Sequence, residues 1–262
     1  MTNHFVLVRL IATLLACSLV TWAQWNKKPY TEWSEKESLK LLNDSPWGQT
    51  QTFTDTSRSA STTRSGTGQT TAIAETVNVR FRIRFMSAKP VRQAIGRAME
   101  LQRQGELPES VGKQLKAFAA AEFPDYVILT VTCEADSASN MLQQANSLLL
   151  KLSTADLKNN TYLLTNDGQR VFIQEYQPPR NDGLGARFVF PRKVNGKPVI
   201  TPESAEVLFH SELGSGSGVN AAIPNSDIPS RDASGRVSRD YGFTLNTRYK
   251  VKDMMFDGKL EF

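Results

Sequence analysis

Residues 77–85, VNVRFRIRF, alternate apolar and polar side chains without a break. That period of two restricts the fold more than any other feature of the chain. In an extended chain Val77, Val79, Phe81, Ile83 and Phe85 share one face, and Asn78, Arg80, Arg82 and Arg84 share the other. A helix would scatter the same side chains around its circumference, so the segment predicts a strand with one face buried. A strand cannot satisfy its own backbone groups, so partners must come from elsewhere in the chain and a sheet has to form.

The segments that follow supply partners and covering layers. After Lys89-Pro90, the residues Val91, Ala94, Ile95, Ala98 and Leu101 recur at helical spacing and predict a helix ending near Gly105. A second helix is expected from Pro108, with Val111, Leu115 and Phe118 on one side. Residues 125–133, DYVILTVTC, form a short continuous apolar run, which predicts a central strand covered on both faces. Asp136 is the expected cap of a third helix with a stripe of Ala138, Met141, Leu142, Ala145, Leu148, Leu149 and Leu152. Beyond it come a hairpin turning at Asp167-Gly168, the strands ARFVFPR and AEVLFHSEL, and a β-rich ending with a turn at Asp257-Gly258. Residues 214–240, rich in Gly, Ser and Pro, read as a flexible loop. The expectation is one α+β domain over 77–262. Its sheet is mixed or antiparallel, with helices mainly from the first half and a strand-rich second half.

The beginning of the chain reads as an export signal over residues 1–23. Arg9 supplies the positive charge, Leu10–Val20 the mostly apolar run, and Thr21 and Ala23 the small residues before a cleavage at Gln24. The run is shorter than the roughly twenty residues a membrane span needs. An alternative reading takes LLAC, ending at Cys17, as similar to the lipobox of bacterial lipoproteins, with Cys17 lipidated; Leu15 departs from that pattern. A third leaves the signal uncleaved as an anchor. The resulting expectation is export to the periplasm or the extracellular space, with membrane association only through Cys17 or an uncleaved signal.

Between the signal and the domain lie two further segments. Residues 24–48 carry a short helix with an S-x-x-E capping box, Ser34 and Glu37. It stops near Asn43 ahead of Pro46 and is too short to be stable alone, so it has to dock on something. The target, its own domain or a partner, is left open by sequence. Residues 49–76 are dominated by Ser, Thr and Gly and read as a tether; an alternating TQTFT strand at its start is a weaker reading. The string KPYTEWSEKESLKLLNDSPW resembles the N-terminal segment of uncharacterised exported bacterial proteins that share W-S-x-x-E, a Leu-Leu pair and S-P-W. The resemblance covers about twenty residues and implies export and a recurring N-terminal element, with no assigned activity.

Residue scarcity narrows the chemistry. With the signal removed, Cys133 and His210 are the single cysteine and histidine. One cysteine forms no internal disulfide, and one of each is too few for a transition-metal site. A Cys133–His210 nucleophile pair, oriented by Glu134 or Glu212, is the obvious catalytic arrangement, yet Cys133 falls in an apolar strand where a thiol packs as a small hydrophobe. Ser110 and Lys113 match S-x-x-K without its companion motifs, and Gly214, Gly216 and Gly218 lack the lysine of a phosphate loop. No catalytic, cofactor-binding or metal residue is therefore assigned, and no cofactor is expected.

Two patterns remain as interaction candidates. Arg80, Arg82 and Arg84 stand about 7 Å apart on one strand face, where they can engage an anionic surface or pair with acids on neighbouring strands. Trp33 and Trp47 flank the N-terminal helix and serve as interface anchors or pin it to its own domain. Together these predict a non-enzymatic exported envelope protein acting through protein or anionic-surface contacts, with no nucleic-acid partner. The alternatives are a hydrolase of an envelope polymer, using carboxylates that sequence does not identify, and a lipid-anchored carrier or chaperone.

Overall fold

A computed structural model describes residues 28–55, 76–103, 107–214, 230–231, 237–238 and 242–262. The signal segment with Cys17, tether residues 56–75 and most of 214–240 lie outside the described residues. In chain order the helices are α1 (Glu35–Asn43), α2 (Lys89–Gln102), α3 (Glu109–Ala120), α4 (Asn140–Lys151) and the single turn α5 (Thr154–Leu157). The strands of the two larger sheets begin with β1 (Gly48–Asp55), β2 (Val77–Phe85), β3 (Tyr126–Ala135), β4 (Thr161–Thr165) and β5 (Arg170–Phe172). They continue with β6 (Glu175–Gln177) and β7 (Ala186–Pro191), and then, after a two-residue ladder of β8 (Lys193–Val194) with β9 (Lys197–Pro198), with β10 (Glu206–Leu213). A second short ladder joins β11 (Ser230–Arg231) to β12 (Val237–Ser238); β13 (Phe243–Lys250) follows, and β14 (Met255–Phe256) pairs with β15 (Lys259–Leu260).

One sheet has five antiparallel strands in the order β1-β2-β3-β7-β6, and the other has four in the order β13-β10-β4-β5. The fold is α+β. β3 sits in the middle of the five-stranded sheet, as its unbroken apolar run requires, and the apolar face of β2 is buried from Val77 to Phe85. This face of the five-stranded sheet meets the four-stranded sheet through ring contacts: Phe81 with Phe243 at 5.0 Å and Phe85 with Tyr249 at 4.7 Å from β2, and Phe188 of β7 with Phe209 at 5.4 Å. Offset and edge-to-face ring pairs like these contribute beyond the area they bury. α4 packs beside them, with Met141, Ala145 and Leu149 turned inward and Leu149 O accepting the Tyr176 hydroxyl.

The opposite face of the five-stranded sheet carries the first three helices. Phe118 of α3 packs on Met86, Ile128 and Val189, and the carbonyl of Leu42 at the end of α1 accepts from Arg84 Nε at 3.0 Å. α1 therefore docks on its own domain. Trp33, Leu41, Leu42 and Trp47 are all buried, while Leu39 faces solvent. Gly48 is required here because a Cβ would collide with the Leu41 and Leu42 carbonyls as α1 turns into β1.

Two expectations are corrected. Residues 49–55 are not tether, so the weaker reading of TQTFT as a strand is the one that holds: they belong to strand β1, Gly48–Asp55, which pairs with β2 over its whole length. Its threonines suit an edge strand, and Phe53 fills a gap between Phe81 and Phe243. Asp136 does not cap α4; Ser139 does, its hydroxyl accepting from the Leu142 N–H at 3.0 Å. Asp136 is instead drawn to Arg80 across the sheet.

The two sheets are joined differently at their two sides. On one side the chain itself crosses over. The Ile173 N–H donates to Thr161 O in the four-stranded sheet, and the next N–H, of Gln174, donates to Val189 O in the five-stranded sheet. On the other side the edges of β1 and β13 come together, and a side chain bridges them. Gln51 Nε2 donates to Thr244 O at 2.9 Å, and Gln51 Oε1 accepts from the Asn246 N–H at 2.8 Å.

Candidate functional site

The residues singled out from sequence are mostly consumed by the fold. Trp33 is 1% and Trp47 2% exposed, so neither indole is available as a surface anchor. The Trp47 indole N–H donates to Glu261 O at 2.8 Å, and Arg97 Nε donates to Trp33 O at 2.8 Å. The arginine face of β2 pairs with acids of β3, the register placing Arg80 opposite Glu134 and Arg82 opposite Thr132. Arg80 forms ion pairs with Asp136 and Glu134, and Arg82 with Glu134. Asp136 raises the Arg80 pKa, and Arg80 in turn holds the Asp136 carboxyl below the usual range. Arg84 serves the end of α1, donating to Leu42 O, to Asn43 Oδ1 at 2.9 Å and to Thr132 Oγ1 at 3.3 Å. Burial, with Arg82 adding, pushes its pKa down to about 10.

Cys133 and His210 do not meet. Cys133 lies on the inward face of β3 opposite Phe81, where its thiol donates to Asn146 Oδ1 at 3.1 Å. Burial first, then Glu134, pushes that thiol up to about 11, far from a thiolate at neutral pH. His210 stands on the outward face of β10, in the other sheet. Among the described residues no three His, Cys, Asp or Glu side chains gather as metal ligands would. Among them, too, no helix is long and apolar enough to cross a membrane.

Sequence reading missed the outward face of the four-stranded sheet, where two rows of side chains run across all four strands. The antiparallel registers align Asn246, His210, Tyr162 and Phe172 in one row, and Arg248, Leu208, Leu164 and Arg170 in the next. The first row is rigidly built. His210 Nδ1 lies 2.7 Å from Asn246 Oδ1, and Nε2 faces Glu212 at 3.6 Å. The His210 ring stacks on Tyr162 with centroids 4.7 Å apart, and Phe172 meets Tyr162 edge-on at 5.6 Å. The Arg170 guanidinium lies 4.7 Å from the Tyr162 ring centre, a cation–π contact. Phe172 is 43% exposed, among the most exposed large apolar side chains described. The signal for this face was the alternation in TYLLT and EVLFHSEL, but pairing registers were needed to bring the aromatic residues together.

At the β13 end the rows run into the seam bridged by Gln51. A groove of about 590 Å³ opens there, lined by Gln49, Thr50, Gln51, Asn246 and Arg248, with Leu208 as its one fully apolar side chain. Its lining combines amide, hydroxyl and guanidinium groups with the apolar surface of Leu208 and of the side-chain stems, so it offers hydrogen-bonding groups beside apolar area. Arg248 pairs with Glu206 and keeps further N–H donors. No protein-family model matches the chain, and comparison with curated proteins and with solved structures gave no match.

Proposed function

We propose that this is a non-enzymatic, exported envelope protein that works by contact, and that its contact surface is the outward face of the four-stranded sheet. The observation that carries the reading is the pair of transverse rows, aromatic and arginine-bearing, standing on a rigid sheet with no described element packed over them. Side chains held by their neighbours lose little conformational freedom when something binds, so such a face is preorganised for contact. The arginines of β2 do not compete for this role, because carboxylates and the end of α1 already occupy them. A contact role also fits the thiol of Cys133, held protonated and turned away from His210.

Export follows from the N-terminal segment and is tested by mass spectrometry of the mature protein in soluble and membrane fractions. A chain starting at Gln24 is the expected result; an acylated Cys17 would replace free export with a lipid anchor. The contact surface is tested by capture from the envelope fraction with wild type, Tyr162→Ala and Phe172→Ala. Capture lost with the two variants and kept with Arg80→Gln supports the reading, whereas capture lost only with Arg80→Gln moves the surface back to β2.

A further inference from the structure

We propose that this face and the adjoining groove bind an acidic oligosaccharide, with a sugar ring on Phe172, a carboxylate on Arg170, and hydroxyls on the polar groups of the seam. The inference rests on the contact-surface reading above and names the ligand class for it.

Three features select this ligand. First, the Phe172 ring, 43% exposed, presents apolar area beside the polar groups of the face, which matches the C–H face of a pyranose and its rim of hydroxyls. Phe172 stands edge-on to Tyr162, which is itself clamped between His210 on one side and Arg170 on another, so the Phe172 ring is backed before binding. Secondly, Arg170 is exposed and makes no ion pair among the described residues. Its fork of donors is free for a carboxylate, which a planar guanidinium binds bidentately. Thirdly, the rows cross four strands, a span of three inter-strand spacings or about 14 Å, and end in the groove. There the Asn246 amide and the Arg248 guanidinium supply donors, while Gln49 and Thr50 supply acceptor oxygens.

The same geometry disfavours an added peptide strand. Strand addition needs the free N–H and C=O groups of a sheet edge. On β13 the Thr244 carbonyl and the Asn246 N–H are already taken by the Gln51 amide. A peptide would have to displace that bridge; a sugar lying on side chains does not.

The test is binding of the secreted chain to a glycan array carrying uronic-, muramic- and sialic-acid oligosaccharides beside neutral ones. Titration with the best acidic ligand and its methyl-ester form then follows. Acidic glycans are expected to be retained and the ester to bind about tenfold more weakly. Phe172→Ala and Arg170→Gln are each expected to lose about tenfold in affinity, and Arg80→Gln to lose none. Phe172 and Arg170 are exposed, so an unchanged circular-dichroism melt shows that the variants remain folded.

Equal affinity for acid and ester overturns the assignment to an acidic ligand. Retention unaffected by either face variant overturns the site. No retention of any acidic glycan overturns the proposal. If a protein is still captured through Phe172 in that case, the contact-surface reading stands and only the ligand class fails. If capture is also insensitive to Phe172, both fail.

Discussion

Trp47 is held from three directions. Phe256 meets its ring edge-on at 6.1 Å, its indole N–H donates to Glu261 O at 2.8 Å, and its carbonyl accepts from the Phe85 N–H at 2.8 Å. Trp47→Ala would empty a fully packed site and orphan an acceptor, which predicts a loss of about 3–5 kcal/mol. Urea denaturation checks this: a midpoint equal to wild type would mean the indole is not the clamp its contacts imply. Arg92 is a comparable case that sequence conceals, an arginine on the apolar side of α2 that is 2% exposed. It donates to the carbonyls of Met86, Ser87 and Ala121, tying the end of β2 to the end of α3. Sequence marked Trp33 and Trp47 as unusual, but it could not say whether they faced in or out. The group that settles Trp47 lies 214 residues further along the chain.

Helix termini were the elements most legible in sequence where their caps are local. In α1 the Glu37 carboxylate accepts from the Ser34 N–H and hydroxyl, each at 2.7 Å, and pairs with Lys28 at 2.9 Å. Lys28 first, then the Ser34 backbone and hydroxyl, lower the Glu37 pKa from 4.5 to about 2. Because the folded pKa lies below the unfolded one, its stabilisation is complete above the unfolded value and disappears as pH falls toward about 2. The side chain is 37% exposed, so solvent screening limits the effect to a fraction of a kcal/mol. Denaturation midpoints of wild type and Glu37→Gln should therefore differ at pH 6 and converge as pH approaches 2. A constant offset across that range would rule out the titration of Glu37 as the cause. α2 and α4 show where local reading stops. α2 has no side-chain cap of its own, and the Lys89 N–H is met by the Glu261 carboxylate at 2.9 Å. α4 is capped by Ser139, the residue directly before it, while Asp136, four residues ahead of the helix, pairs with Arg80.

At the scale of the whole molecule, two sheets are joined by the chain on one side and by the Gln51 amide on the other. Gln51→Ala removes that bridge and bares the edge of β13, and an uncovered edge invites pairing with another chain. The expected outcome is faster amide hydrogen exchange at Asn246, together with concentration-dependent self-association in sedimentation velocity. Unchanged protection at Asn246 would show that the seam is closed by other means. By itself the sequence determined that β2 is a half-buried strand, that β3 is central, that α1 carries a capping box, and that the whole is α+β. Each of these depends on spacing between near neighbours, where backbone geometry alone decides which side chains share a face. Only the tertiary structure decided that the β2 arginines are paired, that the tryptophans are core, that Gly48–Asp55 is sheet, and that Tyr162, His210, Phe172 and Arg170 form one surface. Those outcomes depend on contacts between segments far apart in the chain, and for the strand residues a one-residue slip in register would turn each side chain to the opposite face.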